Sequence, residues 1–81
     1  MDTESEVRGI LDEALILNGR SRELTRASPL LGAMPELDSM AVLAVLSLLE
    51  ERFGLIIEDD EIDGSVFATL GSLVDFVDAR L

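Results

Sequence analysis

Asp38-Ser39-Met40-Ala41-Val42-Leu43-Ala44-Val45-Leu46-Ser47-Leu48-Leu49-Glu50-Glu51-Arg52-Phe53-Gly54 is the stretch whose reading decides the fold class. Val42, Val45, Leu46, Leu49 and Phe53 fall at i, i+3, i+4, i+7 and i+11, an apolar stripe down one face of a helix. The opposite face carries Met40, Ala44, Ser47 and Glu51. Leu43 and Glu50 flank the stripe on one side, Ala41 and Leu48 on the other. Asp38 and Ser39 are residue types that suit a helix start, and Gly54 is one that closes a helix. The spacing predicts a helix over about residues 39–53.

The neighbouring segments repeat this periodicity. Upstream, Val7, Ile10, Leu11 and Ala14 mark a first helix over about 3–17. Thr3 and Glu6 have the spacing of a capping box, and Asn18-Gly19 is expected to end the helix. Residues 18–38 read as a long loop with Pro29, Gly32 and Pro35. Its Leu24, Leu30, Leu31 and Met34 predict that it is pinned to the core and functional. Downstream, Leu55-Ile56-Ile57 leads into the acidic turn Glu58-Asp59-Asp60-Glu61. About 65–68 has room for one short helix, and Leu70, Leu73, Val74, Val77 and Leu81 predict a last helix over about 70–80. No segment alternates cleanly with a period of two. The expected architecture is all-α, one domain over 1–81: a small bundle of three main helices plus one short helix.

Composition narrows the function. A chain of 81 residues, 48% of them apolar, supports one core but not a deep cleft beside a second domain. It has no cysteine, hence no disulfide framework or thiolate metal site, and no histidine, the commonest general base. Six arginines stand against 17 acids, with no lysine, for a net charge of −11. Such a chain repels phosphate backbones and anionic lipid, so nucleic-acid and membrane binding are not expected, and basic partners are. The longest mostly apolar run, Met40 to Leu49, is too short to span a bilayer. The acidic start, Met1 to Glu6, is unlike a signal peptide, so the expected location is the cytoplasm and the default state a monomer.

One ordered set of motifs is more specific. Glu36-Leu37-Asp38-Ser39-Met40 opens a helix after a long loop; Leu49-Glu50-Glu51-Arg52-Phe53-Gly54 closes it. Ile57 and the acids from Glu58 follow, then Phe67-Ala68-Thr69-Leu70-Gly71-Ser72-Leu73-Val74, with Pro29-Leu30-Leu31 in the loop before. In this order the chain, from about Val7 to Leu81, resembles the acyl carrier protein family, with Met40 where the family's Asp-Ser-Leu motif has leucine. The resemblance implies that Ser39 accepts a covalent 4′-phosphopantetheine arm from coenzyme A, and that Asp38 helps present Ser39 and engage the transferase. It implies a carrier rather than an enzyme, with a phosphopantetheinyl transferase, an acyl- or aminoacyl-activating ligase and downstream acyl-using enzymes as partners. The partner face it implies comprises Leu37, Met40, Ala41, Leu43, Ala44, Ser47, Glu50 and Glu51.

Many fatty-acid carriers have an acidic face on this helix; here it carries Ala41, Ala44 and Ser47, with acids only at Glu36, Asp38, Glu50 and Glu51. The resemblance therefore leans towards specialised acyl or aminoacyl carriers. Residues 30–40 resemble stand-alone carriers found beside activating ligases in bacterial gene clusters, including ones linked to exopolysaccharide. The alternative is an unmodified acidic helical docking module, in which Ser39 is merely a helix cap. A hydrolase with Ser39 as nucleophile lacks a base, since neither histidine nor lysine is present. The run Asp59 to Gly64 matches the start of a calcium loop, but its twelfth position would be Leu70 instead of a bidentate glutamate, so a solvated acidic turn is expected. Arg20, Arg22 and Arg26 are expected to pair with acids such as Glu23 or Asp12 rather than to form a phosphate site.

Overall fold

The computed structural model describes residues 2–35 and 37–81, and the side chain of Asp59 lies outside that description. Among the described residues three α-helices carry the architecture: α1 (Thr3–Leu15), α2 (Ser39–Phe53) and α3 (Leu70–Asp78). Two short 3-10 helices, Arg20–Glu23 and Asp59–Glu61, lie in the connections, and no strand is present among these residues. The chain is all-α, a small three-helix bundle.

Each helix contributes its apolar stripe to one core. Val7, Ile10 and Leu11 of α1, Val45 and Leu49 of α2, and Leu70, Leu73 and Val77 of α3 are fully buried. Burial of each such side chain is worth roughly 1.5–3 kcal/mol relative to leaving it exposed. Val42, Leu46 and Phe53 pack against this core but remain partly exposed, as does Ala14. Leu81 lies beyond the end of α3 and is exposed.

The helix ends differ from the sequence reading in two places. Asp2, not Thr3, caps α1: its carboxylate accepts the Glu4 N–H at 3.3 Å, so Thr3 lies inside the helix and the expected Thr3–Glu6 box does not form. Asp outranks Thr as an N-cap, which accounts for the earlier start. At the other end α1 stops at Leu15. Ile16 adopts the left-handed conformation (φ 54) and the Leu17 N–H reaches back to the Asp12 carbonyl at 3.0 Å. That is a Schellman closure, with buried Leu17 as its hydrophobic contact. Gly54 and Leu55 close α2 in the same way, the Leu55 N–H meeting the Glu50 carbonyl at 3.0 Å. Asn18-Gly19, expected to end α1, instead forms a separate tight turn. Both residues have positive φ (54 and 89), and the Arg20 N–H bonds the Leu17 carbonyl at 3.1 Å. This is the type I′ geometry that Asn-Gly favours.

The long loop is tied down by backbone hydrogen bonds to the start of α3. Leu30 and Leu31 donate to the carbonyls of Ala68 (3.0 Å) and Phe67 (2.9 Å); Leu70 and Gly71 donate to those of Ser28 (3.0 Å) and Arg26 (2.9 Å). Leu30 is fully buried, Leu24 and Met34 are half-buried, and Leu31 is exposed. The short helix expected over 65–68 is absent: 64–67 are turns. There Asp63 holds both the N–H and the hydroxyl of Ser65, and the carbonyls of Phe67 and Ala68 accept from the loop. The short helical turn lies earlier, at Asp59–Glu61, where the Glu61 carboxylate accepts the Glu58 N–H at 2.8 Å.

Arginines link the elements, and Arg26 pairs with an acid other than those expected. Arg26 meets Asp75 of α3 at 2.7 Å, and Arg52 of α2 spans Glu6 (3.5 Å) and Glu13 (3.1 Å) of α1. Arg80 bonds Glu61 at 2.8 Å and lies 3.7 Å over the Phe76 ring. Asp12 instead gathers the 19–21 segment, accepting from the Gly19 N–H (3.0 Å), the Ser21 hydroxyl (2.7 Å) and the Ser21 N–H (3.4 Å).

Candidate functional site: the start of helix α2

The start of α2 is built by its flanking residues. Asp38 has extended backbone (φ −98, ψ −177), and its Oδ1 accepts the Ala41 N–H at 2.8 Å while its carbonyl accepts the Val42 N–H at 2.9 Å. Leu37, just before the cap, is 4% exposed and belongs to the core, and half-buried Val42 packs against that core. Those are the two positions of a hydrophobic staple, which fixes the angle at which the chain enters the helix. Ser39 is then the first helical residue. It is exposed, and its hydroxyl has no part in the cap that Asp38 makes.

This placement gives Ser39 a defined electrostatic setting. The first backbone N–H groups of a helix lack intrahelical partners and carry the positive end of the helix dipole. An anionic group attached at Ser39 would sit beside them, a favourable place for phosphate. Among the described residues no group of three or more His, Cys, Asp or Glu side chains could hold a metal ion.

The residues singled out for the partner face divide into three sets. Met40 (76% exposed), Leu43 (62%), Ala44, Ser47 and Glu51 are at the surface. Ala41 packs partly against the core. Leu37 is a correction: its burial makes it a support for the helix start, not part of an exposed face. Glu50 has an internal task that sequence reasoning missed, since its carboxylate accepts the Ile57 N–H at 2.9 Å and shapes the chain leaving α2. Glu36 lies outside the described residues.

The acidic turn after α2 is fastened to Arg80, just beyond α3. The Glu58 N–H and the Arg80 guanidinium hold the Glu61 carboxyl below its ordinary pKa. Asp63 is held low by the Ser65 hydroxyl and N–H, and Asp12 by the Ser21 hydroxyl and the backbone of Ser21 and Gly19. A groove of about 370 Å³ lies elsewhere, lined by Ser5, Arg8, Gly9, Ser21 and Arg22; it includes none of the α2 residues. Arg8 there is engaged by Glu4 at 2.6 Å.

Neither a protein-family model nor a curated protein matches the chain. Among solved structures, the solution NMR structure of a holo acyl carrier protein from Nitrosomonas europaea is 49% identical. The match covers 98% of this chain and 95% of that one, with a TM-score of 0.89. The chain belongs to the acyl carrier protein family. Acyl carrier proteins are carriers and not enzymes, which agrees with the absence of histidine and lysine from the sequence. No helix among the described residues is long and apolar enough to cross a membrane.

Proposed function

We propose that this chain carries a 4′-phosphopantetheine arm on Ser39 and shuttles thioester-bound acyl or aminoacyl groups between enzymes. The observation that carries the reading is the division of labour at the start of α2. Asp38 closes the cap through Ala41, so the exposed hydroxyl of Ser39 has no capping task. The residues present fit the group: a hydroxyl at the surface, with helix N–H groups and the dipole beside the position of a phosphodiester. The arm would supply the thiol that this cysteine-free chain lacks. The relative from Nitrosomonas europaea is a holo acyl carrier protein, which supports the same assignment.

A phosphopantetheinyl transferase, an acyl- or aminoacyl-activating ligase and acyl-using enzymes are the partners this function requires. Exposed Met40, Leu43, Ala44 and Ser47, with Glu51 at the edge, form the surface we assign to them. Because that surface is apolar rather than acidic, it supports a role in a specialised pathway with partners that dock through apolar contact. The cytoplasm, where coenzyme A and such enzymes meet, is the proposed location.

The test is intact mass after incubation with coenzyme A and a broad-specificity phosphopantetheinyl transferase, with Ser39→Ala in parallel. The expected result is a gain of one phosphopantetheine in the wild type and none in the variant. No gain in folded wild type, with the transferase active on a control carrier, would favour the unmodified docking module.

A further inference from the structure

Asn18 is the sole asparagine of the chain, and there is no glutamine. It is exposed, with φ 54, and precedes Gly19 at φ 89 in the type I′ turn. A glycine after asparagine leaves the backbone nitrogen unshielded by any Cβ and free to explore conformations closed to other residues. That nitrogen is therefore the one best able to reach the Asn18 side-chain carbonyl. In the folded chain, however, the Gly19 N–H is committed to Asp12 Oδ2 at 3.0 Å. The same oxygen also takes the Ser21 hydroxyl at 2.7 Å.

We propose that Asn18-Gly19 is a latent self-modification site, kept closed by the grip of Asp12 on the Gly19 N–H. When the 19–21 segment detaches from α1, the Gly19 nitrogen attacks Asn18 Cγ. A Cγ–N bond forms, the bond from Cγ to the side-chain nitrogen breaks, and ammonia leaves with the amide proton. Water then opens the cyclic imide at either carbonyl, yielding aspartate or its β-linked isomer at position 18. No oxidant, reductant or enzyme is needed.

The product changes the place that made it. Either isomer puts a second carboxylate near Asp12, whose own charge already holds the turn. The β-linked isomer also adds a methylene to the backbone between Leu17 and Gly19, so that Gly19 and Ser21 no longer meet Asp12 in register. Conversion thus loosens the start of the long loop from α1, marking chains that have opened there.

The experiment follows intact mass over time at one mildly alkaline pH, for the wild type folded, the wild type in urea, and Asp12→Ala shown by circular dichroism to be folded. With no other asparagine or glutamine, any exchange of NH for O reports on Asn18. Folded wild type should convert about tenfold or more slowly than the chain in urea, the population effect of one hydrogen bond to a charged group. Asp12→Ala should move most of the way to the urea rate. Amide exchange at Gly19 in the wild type is the second measurement, and its protection should match the rate ratio even if Asp12→Ala fails to fold. Equal rates in folded and unfolded wild type, no conversion in urea, or a folded Asp12→Ala that converts at the wild-type rate would each overturn the proposal.

Discussion

Asp38 Oδ1 accepts the backbone N–H of Ala41 at 2.8 Å, so the residue before Ser39 caps the start of α2 and Ser39 does not. Capping and presentation of a hydroxyl are thereby assigned to adjacent side chains. Substitutions can separate them.

Asp38→Ala should cost about 1 kcal/mol of stability, within the 0.5–2 kcal/mol range for a lost N-cap, read as a lower urea midpoint at unchanged slope. Asp38→Asn keeps the acceptor and should cost only a few tenths. If the carboxylate also engages the transferase, Asp38→Asn will load more slowly despite near-native stability. Equal urea midpoints for Asp38→Ala and the wild type would remove the cap from the account.

Two glycines should respond in opposite directions to alanine. A Cβ on Gly71 would stand 2.8 Å from the Arg26 carbonyl oxygen and 3.2 Å from its Cβ, in the contact that ties the loop to α3. Gly71→Ala should therefore cost about 1–3 kcal/mol, as overpacking against backbone does. A Cβ on Gly9, within α1, would meet nothing within 4 Å, so Gly9→Ala should stabilise by about 0.5–1 kcal/mol. Denaturant titration of the pair checks both signs at once.

Ile16 is 74% exposed and holds φ 54, a conformation that costs an L-residue roughly 1–2 kcal/mol. Glycine removes that strain but adds back roughly 0.5–1 kcal/mol of backbone entropy. Ile16→Gly should raise stability by a few tenths to about 1 kcal/mol, and thermal unfolding reads it directly. A loss of stability would show that Ile16 makes a contact outweighing its strain.

Asp12 gives a pH signature. Ser21 and Gly19 hold its carboxyl below the ordinary 3.8, so its contribution is present above that value and is lost as pH falls through the lower folded-state pKa. The stability gap between wild type and Asp12→Ala should thus be constant near neutrality and close on the acid side of 3.8. A gap that widens with acid would have the wrong sign. Comparing the pair cancels the relief of general acidic repulsion, which affects both chains.

Periodicity made the three-helix, strand-free architecture legible, because the stripes of Val7, Val45 and Leu73 all face one core. What it missed were non-local hydrogen bonds. Nothing in residues 65–68 announces that the carbonyls of Phe67 and Ala68 are claimed by Leu31 and Leu30, or that turns stand where a helix is expected. The partners of Arg26 and Arg52 lie 49 and 39–46 residues away, beyond any local pattern. Ser39 stands out through its motif and not through its position alone, since Asp-Ser at a helix start is compatible with simple capping, and its role as the attachment site is our proposal. Leu37, expected on the partner face, is buried, and the signal for that is its staple spacing to Val42.

The most direct measurement of the central claim is fragmentation mass spectrometry of chain loaded from coenzyme A, locating the arm among its serines. The account predicts phosphopantetheine on Ser39 alone, with Ser39→Ala unloaded yet within about 0.5 kcal/mol of wild-type stability, as for an exposed residue outside the cap. An arm on another serine, or a wild-type chain left unmodified by an active transferase, would contradict it.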